Sequence, residues 1–181
     1  MSTPATSVGT CLVVGLGNRD RGDDAVGPEV AARVARRLSR RASREAGTRH
    51  GRPGVRVLEH EDPAALIDTW AGADLVVVVD GIRSGRCPGT IVLLEAGADA
   101  APLPVQPWSA PGRGGTHALG LAAVVELARA LDRLPRRLVV VGVEVSGTEH
   151  GAPLCPAVAT AVPAAANAVI TLLERASGSG R

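Results

Sequence analysis

The sequence of 181 residues has almost no aromatic side chains, with two tryptophans and neither phenylalanine nor tyrosine. Proteins that bind single-stranded nucleic acid stack the bases on aromatic rings, so this composition argues against that function. The formal net charge of +2 is too small to indicate a nucleic-acid partner or an anionic membrane. The arginines of "RVARRLSRRASRE" are interpreted as the solvated face of a helix. We therefore expect no nucleic-acid partner.

Cysteines and long apolar runs are scarce as well. Cys11, Cys87 and Cys155 are far apart and form no Cys-x-x-Cys pair, so neither a disulfide framework nor a structural zinc site is indicated. The N-terminal "MSTPATSVGT" lacks the basic start and apolar core of a signal peptide. Runs such as "LVVVV" are too short to cross a bilayer. These absences predict a cytoplasmic protein with no membrane partner.

Short β-branched runs alternate with helical patterns along the chain. Five strands are predicted, at residues 12–16, 55–58, 75–79 and 90–95 and in "RRLVVVGVEV". Apolar residues that recur every four positions from Val26 to Leu38 predict an amphipathic helix, and an Ala-rich helix is predicted from Pro156. Because the strands are apolar on both faces, we expect a mainly parallel sheet with helices on both sides. We predict one domain over residues 1–181, with a core over roughly 11–175 and short disordered ends.

Two further segments shape the expected site. A short helix is predicted in "DPAALIDTWAG", closed by Gly72. Residues 96–115 are rich in Gly, Pro and Ala without periodicity, which is typical of a functional or mobile loop. Thr116 is then predicted to be the N-cap of a helix that carries Leu121, with His117 in its first turn.

The segment "VVGLGNRDRGDDAVGPEV" begins like a phosphate-binding loop. However, Asp20 stands where a dinucleotide-binding fingerprint needs its third glycine, and Asp23 and Asp24 would repel a pyrophosphate. Gly15 and Gly17 allow a tight turn, which is followed by Asn18. We therefore expect no organic cofactor; a loop that presents its carboxylates to a cation is the alternative.

Other acidic groups are predicted at the same edge of the sheet, where the carboxyl ends of parallel strands meet. The second strand leads into "EHED", the third into Asp80, and the long loop into His117. One hypothesis is a metal site of Asp24, Asp80 and His117, a ligand set that suits nickel, zinc or manganese and leaves positions open. The alternatives are that the aspartates cap helices or form turns and that the histidine faces water. No Gly-x-Ser-x-Gly motif indicates a serine nucleophile.

Several motifs in order along the chain resemble those of the hydrogenase maturation proteases. "VVGLGNRDRGDDAVGPEVA" is similar to the opening of that family, and "VVVVDGIRSGRCPGT" to its third strand and Pro-Gly-Thr turn. "THALGL" resembles its His-x-x-Gly-Leu helix start. "VGVEV" and "GAPLCPAV" resemble its last strand and the start of its final helix. The resemblance spans roughly residues 11–173.

The resemblance implies a three-layer α/β/α sandwich of the phosphorylase/hydrolase type around a twisted five-stranded sheet. It implies an endopeptidase that removes a C-terminal extension from the large-subunit precursor of a nickel-iron hydrogenase after nickel insertion. Carried onto this chain, the residues that contact nickel are Asp24, Asp80 and His117, supported by the loop of Gly15, Gly17, Asn18 and Asp23. The nickel would belong to the substrate.

Three points stay open at this level. The catalytic base is either Asp23 or an acid of "EHED", which stands in place of the acidic-Gly-Gly-Thr loop of many relatives. A nickel-dependent escort that binds the precursor without cutting it is one alternative function. A peptidyl-tRNA hydrolase is another, because "LVVGLGN" also resembles the start of that family, although the motifs that follow do not.

Overall fold

In the part of the chain that the structure describes, the fold is built around one five-stranded sheet. A computed structural model describes residues 10–45, 54–102 and 120–178. The strands are β1 (Cys11–Leu16), β2 (Val55–His60), β3 (Leu75–Ile82), β4 (Ile91–Glu95) and β5 (Arg137–Glu144). The α-helices in these ranges are α1 (Val26–Glu45), α2 (Leu66–Thr69), α3 (Leu121–Ala130) and α4 (Pro156–Gly178).

The strand order is β2-β1-β3-β5-β4. The first four of these strands are parallel to one another, and β4 pairs antiparallel with β5 at the edge. The structure therefore confirms the predicted mainly parallel five-stranded sheet. It also places β4 as the one reversed strand, which sequence periodicity did not indicate.

Helices cover both faces of the sheet. Alternate strand residues such as Val13 and Val77 pack with Val30 and Val34 of α1 and with Val169 of α4. The intervening strand residues form a second core with α2 and α3, which includes Leu12, Val14, Leu66, Trp70, Val78 and Val125. The strands are buried on both faces, as their continuous apolar runs predict. The predicted α/β/α sandwich is confirmed.

Helix α4 is apolar and long enough, by length and composition alone, to cross a membrane over Pro156–Ser177. In the fold it packs lengthwise against α1 and the sheet, with Val158, Ala165 and Val169 fully buried. An apolar core helix has the same composition as a membrane span. This packing accounts for the apolar residues on the inner face of α4.

Two predicted helix boundaries differ from the structure. Helix α3 begins at Leu121, with Gly120 as its N-cap in an extended conformation, whereas Thr116, the predicted N-cap, lies outside the described residues. The segment after β2 forms a 3-10 turn at Pro63–Ala65 and a single α-helical turn, α2, which is shorter than predicted. Helix α2 ends at Thr69 with Trp70 as its C-cap, so the predicted end at Gly72 is wrong; Gly72 lies in the turn that follows, at φ +75°, a conformation that favours glycine.

Candidate functional site

The strand order creates a crevice between the carboxyl ends of β1 and β3. From β1 the chain passes through α1 to β2 on one side, and then returns through α2 to β3 on the other side. In open α/β sheets, ligands bind at such a switch point. The loop of Asp24 follows β1, and Asp80 lies in β3, so the structure brings both elements to this crevice.

Two glycines allow α1 to begin directly over the crevice. Gly27 lies against the backbone of both strands, and a Cβ atom there would overlap the carbonyl oxygen of Leu16 and come within 2.6 Å of that of Val79. A Cβ on Gly15 would overlap Gly27 in turn. The absence of side chains at both positions therefore sets how closely the helix start approaches the strands.

Asp24 lies in the loop between β1 and α1, in a 3-10 turn over Gly22–Ala25. Gly17 adopts φ +131° and packs against the carbonyl of Asp24, where a side chain would not fit. The amide of Asn18 donates a hydrogen bond of 2.9 Å to Oδ2 of Asp24. The glycine turn therefore folds back on the aspartate and orients its half-buried carboxylate.

Asp80 is the carboxylate with the strongly raised pKa in this crevice. Burial is the main cause and the negative charge of Asp24 adds to it, while the amide of Gly81 acts in the opposite direction; the resulting pKa is about 8. Two carboxylates that interact electrostatically repel one another unless a proton or a cation lies with them. The pair is therefore a candidate site for a cation, and the metal ligands predicted from the sequence stay a prediction.

Asp23 has a different environment from its neighbour. Its side chain is 1% exposed, and it accepts hydrogen bonds from the amides of Ser146, Gly147 and Cys155 and from the hydroxyl of Ser146. Burial would raise the pKa of Asp23, but these four donors outweigh it and lower the pKa to about 2. Such a carboxylate is a poor proton acceptor, so the geometry assigns Asp23 to loop anchoring and not to base catalysis.

The acids of "EHED" also have structural partners. Glu59 accepts two hydrogen bonds from Arg19, at 2.9 and 2.7 Å, and the same guanidinium pairs with Glu29 at 2.6 Å. Glu61 accepts a hydrogen bond of 2.9 Å from the side chain of Asn18. These contacts tie the loop after β1 to the end of β2.

The remaining two residues of "EHED" face the segment that follows β2. Asp62 caps the 3-10 turn by accepting from the amide of Ala64 at 2.9 Å. Nε2 of His60 lies 3.2 Å from the hydroxyl of Thr69 in α2. The residues of "EHED" therefore hold the end of β2 and the segment after it in place beside the crevice.

His117, the third predicted ligand, lies outside the described residues. Within residues 10–45, 54–102 and 120–178, no group of three or more histidine, cysteine, aspartate or glutamate residues is placed to hold a metal ion. Gly120, the N-cap of α3, follows His117 by three positions. Arg129, in the last turn of α3, donates a hydrogen bond of 2.9 Å to the carbonyl of Ala98. The end of α3 therefore lies at the edge of the sheet where β5 begins. Helix α3 therefore begins at the opposite edge, which is the edge of the crevice.

Sequence reasoning did not identify two groups at this edge, Arg19 and Glu144. Arg19 joins Glu59 and Glu29, and Glu144 is 2% exposed beneath the loop that follows β3. The only sequence signal for Glu144 is a charged residue within the apolar run "VGVEV". A charge at a buried strand position requires partners, and these come from a distant part of the chain.

Comparison with known proteins gives a consistent result. A model of a protein family described as hydrogenase maturation protease (HycI) matches residues 33–172. This region includes Asp80 and position 117 and begins after Asp24. The comparison with curated proteins gave no match.

Solved structures share the fold over nearly the whole chain. The hydrogenase maturating endopeptidase HybD from E. coli has a TM-score of 0.66 at 23% identity, over 92% of this chain and 93% of that one. The [NiFe] hydrogenase maturation protease HycI from Thermococcus kodakarensis KOD1 has a TM-score of 0.62 at 22% identity, over 93% and 95%. A solution structure of an endopeptidase from Escherichia coli has a TM-score of 0.67 at 22% identity, over 92% and 93%.

The family match covers well over half of the chain and agrees with the motifs and the fold. It favours the resemblance to maturation proteases over the alternative of a peptidyl-tRNA hydrolase. The chain therefore belongs to the hydrogenase maturation protease family and is a peptide-bond hydrolase.

Proposed function

We propose that the protein removes a C-terminal extension from the large-subunit precursor of a nickel-iron hydrogenase once that precursor holds nickel. The observation that carries this proposal is the carboxylate pair of Asp24 and Asp80 at the β1–β3 switch point, where burial and mutual repulsion raise the pKa of Asp80 to about 8. A divalent ion would relieve that repulsion, and oxygen ligands with an imidazole suit nickel. His117, three positions before Gly120 at this edge, is the proposed third ligand.

The nickel belongs to the substrate, where precursor cysteines hold it. Asp24, Asp80 and His117 complete its coordination, and this contact docks the adjacent peptide bond at the crevice. Asp80 releases its proton when it meets the ion, because a ligating carboxylate must be ionised. A precursor without nickel leaves the carboxylates unpaired and is not held.

The cleavage step needs one water molecule. The ion polarises the carbonyl of the docked bond, the water oxygen adds to the carbonyl carbon, and the C–N bond then breaks. The water gives its hydroxyl to the carbonyl carbon and one proton to the leaving nitrogen, so the products are a new carboxylic acid, which then releases its proton to solvent, and a free amine. Asp23 takes no part in this transfer, because its oxygens accept four hydrogen bonds in the folded protein. The reaction is proposed to occur in the cytoplasm.

The test is the intact mass of a nickel-loaded precursor before and after incubation with the protein. We expect loss of a short C-terminal peptide with the wild type, and no loss with Asp24→Asn, Asp80→Asn or His117→Ala. Asp20→Asn is the matched control, because Asp20 is an exposed aspartate of the same loop. It is expected to cut normally.

Two results would contradict the proposal. Cleavage of a nickel-free precursor at an equal rate would exclude nickel recognition. An unchanged mass despite complex formation with the nickel-loaded precursor would instead establish the escort function.

A further inference from the structure

The loop between β3 and β4 lies next to the carboxylate pair and has no role in the proposed chemistry. It leaves β3 after Ile82, two residues beyond Asp80, and passes over the carboxyl end of β5 to reach β4. All six residues from Arg83 to Pro88 are exposed. The loop therefore presents a continuous surface beside the site.

A buried carboxylate holds this surface from below. Glu144, at the end of β5, is 2% exposed and accepts hydrogen bonds from the amide and the hydroxyl of Ser84 and from the amide of Gly85, at distances of 2.6 to 3.0 Å. Among the described residues, every hydrogen bond to its two oxygens comes from a donor of the loop, so both oxygens must be acceptors. Burying an ionised group is unfavourable, and such groups are in some proteins retained because they fix one conformation.

Two further contacts fix the same loop. Gly89 adopts φ +85°, and a Cβ atom there would lie 2.7 Å from the carbonyl oxygen of Ala157 at the start of α4. At the other end, the guanidinium of Arg83 donates to the hydroxyl of Thr148 at 3.3 Å. The segment of Thr148 is itself held by Asp23 through Ser146. The loop is thus anchored to three neighbouring elements although its surface is exposed.

The charge of this surface is opposite to that of the site. Arg83 and Arg86 flank the clamped pair of Ser84 and Gly85, whereas the crevice beside them carries carboxylates. Among the described residues, Arg86 has no hydrogen bond or ion pair. A guanidinium offers donors in a fixed fork that matches a carboxylate, so an exposed arginine on a rigid loop is well suited to bind one.

We propose that residues 83–86 form a recognition loop that binds a carboxylate of the precursor's C-terminal extension, with Arg86 as the contact and Glu144 as the positioning residue. The inference rests on the proposed function, because the loop would act on the segment to be removed. The carboxylate is either the terminal α-carboxylate of the precursor or an acidic side chain within the extension. Both present the same two oxygens to the guanidinium.

The first test compares the steady-state kinetics of precursor cleavage for wild type and Arg86→Ala. Loss of a charge-assisted contact is expected to raise KM about tenfold and to leave kcat within about twofold. Arg36→Ala is the matched control, because Arg36 is an exposed arginine on α1, away from the crevice. It should not change KM, and an equal rise in both variants would indicate a general effect of charge.

The second test separates positioning from general damage to the fold. Glu144→Gln places an amide N–H₂ against the donors of Ser84 or Gly85, which displaces the loop. We expect a rise in KM comparable to that of Arg86→Ala, and little further rise in the double variant, because both changes remove one contact. Fully additive effects on KM would overturn the positioning role of Glu144.

The precursor itself identifies the carboxylate. Amidation of its C-terminus, or neutralisation of the acidic side chains in its extension, should raise KM for the wild type and have no effect on Arg86→Ala. If neither change affects the wild type, or if Arg86→Ala has a normal KM, the inference is wrong. If the wild type does not cut the precursor at all, the proposed function fails, and the recognition loop is then tested by the Kd of the precursor for each variant. About tenfold weaker binding by Arg86→Ala than by the wild type supports the recognition loop, and equal binding overturns it.

Discussion

Substitution of Asp23 by asparagine tests whether one buried carboxylate holds the loops around the site together. Oδ1 accepts from the amide of Cys155 at 2.6 Å. Oδ2 accepts from the amide and hydroxyl of Ser146, at 2.9 and 2.8 Å, and from the amide of Gly147 at 3.2 Å. Asparagine has one oxygen, which it would turn to the three donors near Oδ2. Its amide group must then face the amide of Cys155.

The magnitude follows from that arrangement. Two buried donors are then left without an acceptor, namely the amide of Cys155 and the new side-chain amide of asparagine. Each unsatisfied donor costs about 1–3 kcal/mol. Independently, the pKa of Asp23 falls from 3.8 to about 2, which corresponds to about 2 kcal/mol of stability at neutral pH. We therefore expect Asp23→Asn to lower the free energy of unfolding by about 2–6 kcal/mol.

The stabilisation by Asp23 should depend on pH in one direction. The folded pKa of Asp23 lies below the unfolded value, so the contribution is fully present above about pH 4 and is lost as the pH falls toward about 2. The assay is urea unfolding of wild type, Asp23→Asn and the exposed control Asp20→Asn, from neutral pH down to about pH 2. A loss below about 0.5 kcal/mol, or a gap from wild type that stays constant over that range, would refute the reasoning.

Three other predictions concern packing, the carboxylate pair and the cysteines. Gly27→Ala should lower the free energy of unfolding by about 1–3 kcal/mol, because the new Cβ would overlap the strand carbonyls. Gly54 has open space around it, so Gly54→Ala should change the free energy of unfolding by less than about 0.5 kcal/mol. Similar urea midpoints for the two variants would contradict this prediction. The folded pKa of Asp80 lies above its unfolded value, so the stability of the wild type should fall as the pH rises from about 4 to 8. At about pH 8, Asp80→Asn should be more stable than the wild type by about 1–3 kcal/mol but unable to cleave the precursor. Identical unfolding curves for the two proteins would contradict this prediction. Exposed Cys87 should react with iodoacetamide in the native protein, whereas Cys11, whose thiol pKa is raised by burial and by the charge of Asp74, should react only on unfolding, as peptide mass mapping would show.

The sequence by itself determined most elements of this fold and placed two carboxylates of the candidate site at one edge of the sheet. Continuous β-branched runs and a four-residue apolar repeat are local patterns, so the strands and α1 could be predicted close to their observed bounds. Asp24 and Asp80 could be predicted at one edge because the carboxyl ends of parallel strands meet there. The motifs in order along the chain also predicted the family that the family model then showed.

Only the tertiary structure decided which side chains hold that edge in place. Asp23 and Asp24 are adjacent in the sequence, yet one is an anchor that accepts from an amide 132 residues away and the other faces the crevice. Glu144 holds a loop 60 residues distant, and Gly27 is required because two strand carbonyls lie against it. These roles depend on the strand order β2-β1-β3-β5-β4, which brings distant segments into contact and leaves no periodic trace in the sequence.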